Sequence, residues 1–156
     1  GHPATRVMTI HNLAYRGLYP KETLTQLGLP WTIFTAGRAE FYDQLSLLKG
    51  GLAFADVATT VSPTYAREIL TPARGEGLDG FLRHDVARLV GVVNGIDVEA
   101  WDPRRDPSLP ARFDARDPLG KAACRAAVAD ELGLELGDAT PLCVAIARLT
   151  PQKGLA

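Results

Sequence analysis

Short runs of β-branched and other apolar residues alternate along this chain with segments of helical pattern. Such runs are typical of strands when turn or helix signals bound them. They occupy residues 6–10, 56–61, 88–93 and 141–149. Strands that alternate with helices indicate βαβ units, in which helices cover a parallel sheet. The pattern therefore predicts an α/β fold.

The segment between the first two predicted strands carries the clearest helical periodicity. Apolar residues recur there at steps of four and three, which predicts one buried face of a helix over about residues 40–55: Phe41, Leu45, Leu48, Leu52 and Ala55. Lys49 lies off that face, so we expect an ion-paired or solvated lysine.

Two further helices are predicted from their end signals. Ser62-Pro63 is an N-cap followed by proline in the first turn, which predicts a short helix through TYAREIL. Asp117-Pro118 opens a second, alanine-rich helix that we expect to end at Gly133. Residues 94–117 are dense in Pro, Asp and Arg and show no period, so they are interpreted as a connection between domains.

Composition excludes several classes of function. Seventeen basic residues against 18 acidic ones leave a net charge of -1, which gives no overall field to attract nucleic acid or an anionic membrane. Cys124 and Cys143 lack metal-ligand spacing and are expected to be reduced core thiols, and we expect no metal. No apolar run approaches the roughly 18 residues of a spanning helix, and no leader is evident, so a cytoplasmic protein is the expectation.

Two polar residues follow predicted strands, where ligands of open α/β sheets bind. His11 comes directly after the first strand, and Asn94 follows the third. The alternatives are structural. His11 can simply end a strand while Asn12 starts a turn, and Asn94-Gly95 can be a tight turn with positive φ at both residues.

Two cations near the end of the chain form the sharpest chemical pair. Arg148 and Lys153 flank the predicted loop between the last strand and a helix expected to start at Thr150-Pro151. A helix N-terminus with a planar guanidinium and a compact ammonium suits a diphosphate, and no metal is needed. The alternative is that both are solvated surface charges.

Five motifs, in the same order and over nearly the whole chain, resemble the bacterial glycogen synthase family: TIHNLAYRGLYP, DQLSLLKGGLAFAD, TTVSPTYAREI, VVNGIDVEAWDP and ARLTPQKGL. The resemblance implies a GT-B glycosyltransferase, whose paired Rossmann-like domains with parallel sheets hold ADP-glucose and an α-1,4-glucan in the cleft between them. Residues 1–96 would be the latter part of the N-terminal, acceptor-side domain. Residues 97–156 would be the hinge and the start of the C-terminal, nucleotide-binding domain.

The resemblance also implies roles for the polar residues. His11 would be the active-site histidine beside the donor glucose, Asn94 would lie in the cleft at the hinge, and Arg148 and Lys153 would bind the diphosphate. No cofactor is implied. The family's lysine-glycine-glycine donor loop and glutamate-bearing loop are not in this sequence, so we expect an internal fragment that is inactive alone.

Two other functions remain open at this point. One is a transferase that uses another sugar nucleotide, such as UDP-glucose. The other is a non-catalytic glucan-binding module, which would need an exposed aromatic platform that the sequence does not display.

Overall fold

The computed structural model of the chain describes residues 4–137, 139–150 and 153–154. The chain divides into two compact units, residues 1–95 and 96–156. The first unit contains β1 (Val7–Ile10), β2 (Leu18–Pro20), α1 (Thr23–Gln26), a 3-10 helix (Trp31–Ile33), β3 (Glu40–Phe41), β4 (Gln44–Ser46), α2 (Leu47–Ala53), β5 (Val57–Thr60), α3 (Pro63–Glu68), α4 (Asp79–His84) and β6 (Leu89–Gly91). The described part of the second unit contains α5 (Gly120–Glu131).

A parallel sheet in the order β1-β5-β6 forms the centre of the first unit. β5 pairs in parallel with both neighbours, with Ile10 opposite Thr60 and Thr60 opposite Gly91. Three of the predicted strands are therefore confirmed, as is the α/β fold class with a parallel sheet. Parallel pairing brings the carboxyl ends of these strands to one edge of the sheet.

The main hydrophobic core lies against this sheet. It consists of the buried residues Ile10, Leu13, Leu52, Ala58, Ile69, Leu78, Phe81 and Leu82. Burial of the leucine, isoleucine and phenylalanine side chains in this core contributes about 1.5–3 kcal/mol each to folding. Ile10 and Leu13 belong to this core, so the short segment that carries His11 is held in the apolar interior on both sides.

The predicted helix over about residues 40–55 is wrong in its first half. Residues 40–46 form the hairpin of β3 and β4, whose two-residue loop has φ of 49° at Tyr42 and 63° at Asp43. β4 also pairs antiparallel with β2, and this second sheet has the order β2-β4-β3. The helix α2 begins only after Ser46, whose Oγ caps it by accepting from the backbone N–H of Lys49 at 3.2 Å. Residues 44–46 pair with β2, more than 20 residues earlier in the chain, and this pairing outweighs the helical spacing of the apolar residues.

The expectation of an ion-paired or solvated Lys49 is also wrong. Lys49 is only 6% exposed, and its Nζ donates to the backbone carbonyls of Ala36 and Glu40, the latter at 2.7 Å. The ammonium lies 5.1 Å from the centre of the Phe81 ring. Burial lowers the pKa of Lys49, because it removes water from the charged form.

Two of the predicted helix ends are matched by the structure, whereas α5 begins at Gly120, two residues after the predicted Asp117-Pro118 start, and has no side-chain cap there. Ser62 caps α3, and its Oγ accepts from the backbone N–H groups of Thr64 at 3.2 Å and Tyr65 at 3.3 Å. Gly133 follows α5 with φ of +62°, the left-handed conformation that glycine adopts without strain. Both signals are local, which explains why the sequence predicts them well.

The predicted strand over residues 141–149 does not form. A parallel strand needs a neighbour for its backbone groups, and the described residues of the second unit include no other strand. Its apolar side chains are exposed instead, Ile146 by 96%. Cys143 is exposed and Cys124 is half-buried, both as free thiols, so the expectation of core positions is wrong for Cys143.

The segment predicted to connect two domains is irregular, as its composition indicates. Residues 92–119 contain turns and bends but no helix or strand. Aspartates organise these turns by accepting from backbone N–H groups two and three residues later, as Asp97 does from Glu99 and Ala100 at 3.0 Å. Within the described part of the chain, no helix has the length and apolar character to cross a membrane.

Candidate active site

His11 lies at the carboxyl end of β1, as the sequence predicts. The strand ends at Ile10, and the His11 side chain is exposed. Among the described residues, no side chain or backbone group makes a hydrogen bond to the imidazole. An exposed, unengaged imidazole at the end of a parallel strand can meet a ligand.

The backbone on both sides of His11 is held by side chains from a distant part of the chain. Thr60 Oγ1 donates to the carbonyl of Ile10 at 2.8 Å, and this contact is buried. Tyr65 Oη accepts from the N–H of Leu13 at 3.1 Å. Sequence reasoning missed both contacts, because nothing in the local pattern joins residues 50 positions apart.

Asn12 begins a turn directly after His11. Its Oδ1 accepts from the backbone N–H of Ala14 at 3.0 Å, and its carbonyl accepts from Tyr15 N–H at 3.2 Å. The turn that was the structural alternative for this segment therefore exists. His11 is exposed at this bend, so a turn and a site are compatible here.

Arg16 fixes the far end of the same loop. Its Nη1 donates to the backbone carbonyl of Glu76 at 3.1 Å and to the Glu76 carboxylate at 2.9 Å. Its guanidinium lies 5.4 Å from the centre of the Phe41 ring. The carbonyl of Arg16 accepts from Ser46 Oγ at 2.8 Å and from Leu48 N–H at 3.2 Å. The loop after His11 is thus tied to the N-terminus of α2 and to a turn 60 residues away.

Asn94 lies three residues beyond the end of β6, in the same unit as His11. Since β1 and β6 both run parallel to β5, the two residues follow strands at the same edge of the sheet. Neither Asn94 nor Gly95 has positive φ, so the tight-turn alternative for this dipeptide is not formed. The Asn94 side chain is exposed.

Arg148 and Lys153 lie in the second unit, and both are exposed. Two backbone hydrogen bonds lie near these cations: the carbonyl of Arg148 accepts from Thr150 N–H at 2.9 Å, and the carbonyl of Thr150 accepts from Lys153 N–H at 2.9 Å. The strand expected before Arg148 is not formed. The helix expected at Thr150-Pro151 falls partly on Pro151, which lies outside the described residues. A diphosphate site at these cations, and its convergence with His11 and Asn94, stay predictions.

Metal-binding groups do not assemble in the part of the chain that the structure describes. There, no group of three or more His, Cys, Asp or Glu residues could hold an ion. His11 and Asn94 supply an imidazole, a neutral amide and backbone carbonyls at this edge of the sheet.

The chain is similar to glycogen and starch synthases over nearly its whole length. Residues 2–84 match the model of the starch synthase catalytic domain. The glycogen synthase of Anaeromyxobacter dehalogenans is 59% identical over 152 residues, which are 97% of this chain and 32% of that protein. The glycogen synthase of Myxococcus xanthus is 51% identical over 97% of this chain. This chain spans about a third of the length of these relatives.

A solved structure shows the same fold. The catalytic domain of starch synthase IV from Arabidopsis thaliana, bound to ADP and acarbose, is 34% identical with a TM-score of 0.75. The similarity covers 86% of this chain and 28% of that one. Since the family model covers more than half of the chain, this chain belongs to the family of the starch synthase catalytic domain.

Proposed function

We propose that this chain is a segment of a glycogen synthase, which transfers glucose from ADP-glucose to the nonreducing end of an α-1,4-glucan with retention of configuration. The observation that carries the proposal is the identity of 59% to a glycogen synthase over 97% of the chain. Because the chain spans only about a third of that relative, the activity belongs to a longer protein. The segment alone is expected to be inactive.

The donor and acceptor are supported by the bound molecules of the structural relative. Starch synthase IV was solved with ADP and acarbose. ADP is the group that leaves when glucose is transferred from ADP-glucose. We therefore favour ADP-glucose over UDP-glucose as the donor, and an α-linked glucan as the acceptor.

In this proposal, His11 and Asn94 contact the glucose that is transferred. The exposed His11 imidazole and the backbone carbonyl beside it would lie near the reacting carbon, where positive charge develops in the transition state. The Asn94 amide would donate or accept a hydrogen bond without adding charge. Residues 1–96 would form the acceptor-side domain.

Arg148 and Lys153 would bind the diphosphate of the leaving group, ADP. As the bond to glucose breaks, negative charge grows on the departing diphosphate. A guanidinium and an ammonium stabilise that charge more in the transition state than in the bound donor, which accelerates the chemical step. Residues 97–156 would form the hinge and the start of the nucleotide-binding domain.

The test is glucose transfer by the full-length protein that contains this sequence. With labelled donors and glycogen, we expect incorporation from ADP-glucose at least about tenfold faster than from UDP-glucose. His11→Ala should lower kcat by about a hundredfold or more. His84→Ala is the matched control, because His84 is an exposed histidine at the end of α4, and kcat should stay within about twofold. Faster transfer from UDP-glucose would contradict the donor, and absence of transfer would contradict the activity.

A second candidate, a non-catalytic glucan-binding module, is favoured by exposed aromatic side chains in the first unit. Tyr15 is 65% and Tyr42 is 79% exposed. Exposed aromatic rings can stack on sugar rings. Retention of the isolated chain on immobilised glycogen, with no transfer by the full-length protein, would favour this function over glucose transfer.

A further inference from the structure

We propose that Thr60 and Tyr65 are positioning residues, which hold the backbone on both sides of His11 in the geometry that glucose transfer requires. The inference rests on the proposed function of the site. It concerns two residues to which that function assigns no role.

The two contacts bracket His11 within a span of four residues. Thr60 Oγ1 donates to the carbonyl of the preceding residue, Ile10, at 2.8 Å. Tyr65 Oη accepts from the N–H of Leu13, two residues after His11, at 3.1 Å. Ile10 is 1% exposed and Leu13 is 0% exposed, so water cannot replace either partner without opening the core. A buried backbone group that loses its partner destabilises the conformation that buries it.

One short segment supplies both anchors. Thr60 is the last residue of β5 and lies opposite Ile10 in the parallel ladder, at the point where β1 ends. The chain then turns at Ser62, which caps α3 by accepting from Tyr65 N–H at 3.3 Å. This cap sets the start of α3 and therefore the direction in which Tyr65 reaches back to Leu13.

The side chain of His11 has no such support of its own. Among the described residues, none makes a hydrogen bond to its imidazole, and the side chain is exposed. The position of both the imidazole and the His11 carbonyl is therefore set through the backbone. Since a displacement of about 1 Å can cost as much as a hundredfold in rate, backbone anchors of this kind affect catalysis without touching substrate.

The experiment uses four variants of the full-length protein. Thr60→Val and Tyr65→Phe each delete one hydroxyl with little change of shape. Thr60→Ser keeps the hydroxyl and tests for rescue. Thr59→Val is the matched control, because Thr59 Oγ1 is hydrogen-bonded to the Thr9 side chain at 2.8 Å between the same two strands and makes no hydrogen bond to the backbone of the described residues 10–13.

The readouts separate positioning from general stability. For Thr60→Val and Tyr65→Phe we expect kcat to fall about tenfold, with KM for ADP-glucose and for glycogen within about twofold. Amide hydrogen exchange of residues 10–14 should become faster in both variants. Thr60→Ser should recover kcat to within about threefold of wild type. Thr59→Val should leave both kcat and the exchange of residues 10–14 unchanged.

Several results would overturn the inference, and they are distinguishable from failure of the proposed function. Unchanged exchange in residues 10–14 would mean that these hydroxyls do not anchor the segment. Faster exchange with unchanged kcat, while His11→Ala is inactive, would refute positioning and leave the proposed function intact. An equal loss of kcat in Thr59→Val would show a general effect of strand stability. If the wild-type protein transfers no glucose, the proposed function is wrong, and the positioning role of Thr60 and Tyr65 in catalysis is wrong as well.

Discussion

Replacement of Gly91 by alanine tests the packing of β6 against α3 most directly. Gly91 ends β6, and a Cβ added there would lie 2.4 Å from Pro63 Cα, Pro63 N and the carbonyl oxygen of Ser62. Ordinary contact begins at 3.4 Å, so the overlap is 1 Å. All three atoms are backbone atoms at the start of α3, so no side-chain rotation can relieve the clash.

The expected cost follows from the shift that the backbone must make. Moving β6 and the start of α3 apart disturbs the packing at the edge of the main core, and overpacking of this kind costs about 1–3 kcal/mol. We expect the upper end of this range, because the obstacle is backbone. The melting temperature should fall by roughly 4–8 °C for each kcal/mol in a unit of this size.

Gly80→Ala is the matched control for this substitution. Gly80 lies in α4 and has open space around the added Cβ, with nothing within 4 Å. The same chemical change should therefore stabilise the protein by about 0.5–1 kcal/mol, because alanine favours a helix over glycine. Thermal and urea denaturation of the two variants should give shifts of opposite sign. Equal stability of Gly91→Ala and wild type would refute the close packing of β6 on α3.

The remaining predictions concern buried and exposed charges. Lys49→Met should lower the free energy of unfolding by about 3 kcal/mol at pH 7, because two partly buried backbone carbonyls lose a charged donor. Lys21→Met, which removes an exposed ion pair with Asp43, should have a much smaller effect in the same urea denaturation. The pKa of Lys49 is lower in the folded protein than its ordinary value of 10.5. At a pH between these two values, the unfolded chain binds more protons at this residue than the folded protein does. The free energy of unfolding of the wild type should therefore rise with pH over that range, relative to Lys49→Met. The hydrogen bond from the Arg6 side chain holds the pKa of Asp56 at about 2, below its ordinary value of 3.8, so its stabilising contribution is present above pH 3.8 and is lost as pH falls toward 2. The melting temperatures of wild type and Asp56→Asn should therefore converge over that range, and a constant difference would contradict the ion pair. In the full-length protein, Arg148→Ala should lower kcat about a hundredfold with glycogen binding unchanged, and steady-state kinetics with unaltered kcat would make it a surface charge.

The amino-acid sequence by itself determined the elements that depend on neighbours in the chain. The β-branched runs predicted β1, β5 and β6, because strand preference and burial on a parallel sheet act over a few residues. Ser62 and Gly133 marked helix ends, because a cap bonds to backbone groups within three residues or meets the local demand for positive φ. The placement of His11 and Asn94 after strands followed from the same local signals. Their shared edge followed from the parallel order that βαβ units favour.

Only the tertiary structure decided the contacts that join distant segments. The period through Phe41 and Leu45 fits a helix, yet pairing with β2 makes this region a hairpin. The sequence predicts Lys49 on the surface, but the tertiary structure buries it. The anchors of His11 come from side chains some 50 residues away, and residues 141–149 stay unpaired because a parallel strand forms only against a neighbour. Local propensity is worth tenths of a kcal/mol per residue, whereas burial and strand pairing are worth more, so where the two disagree the distant contact determines the structure.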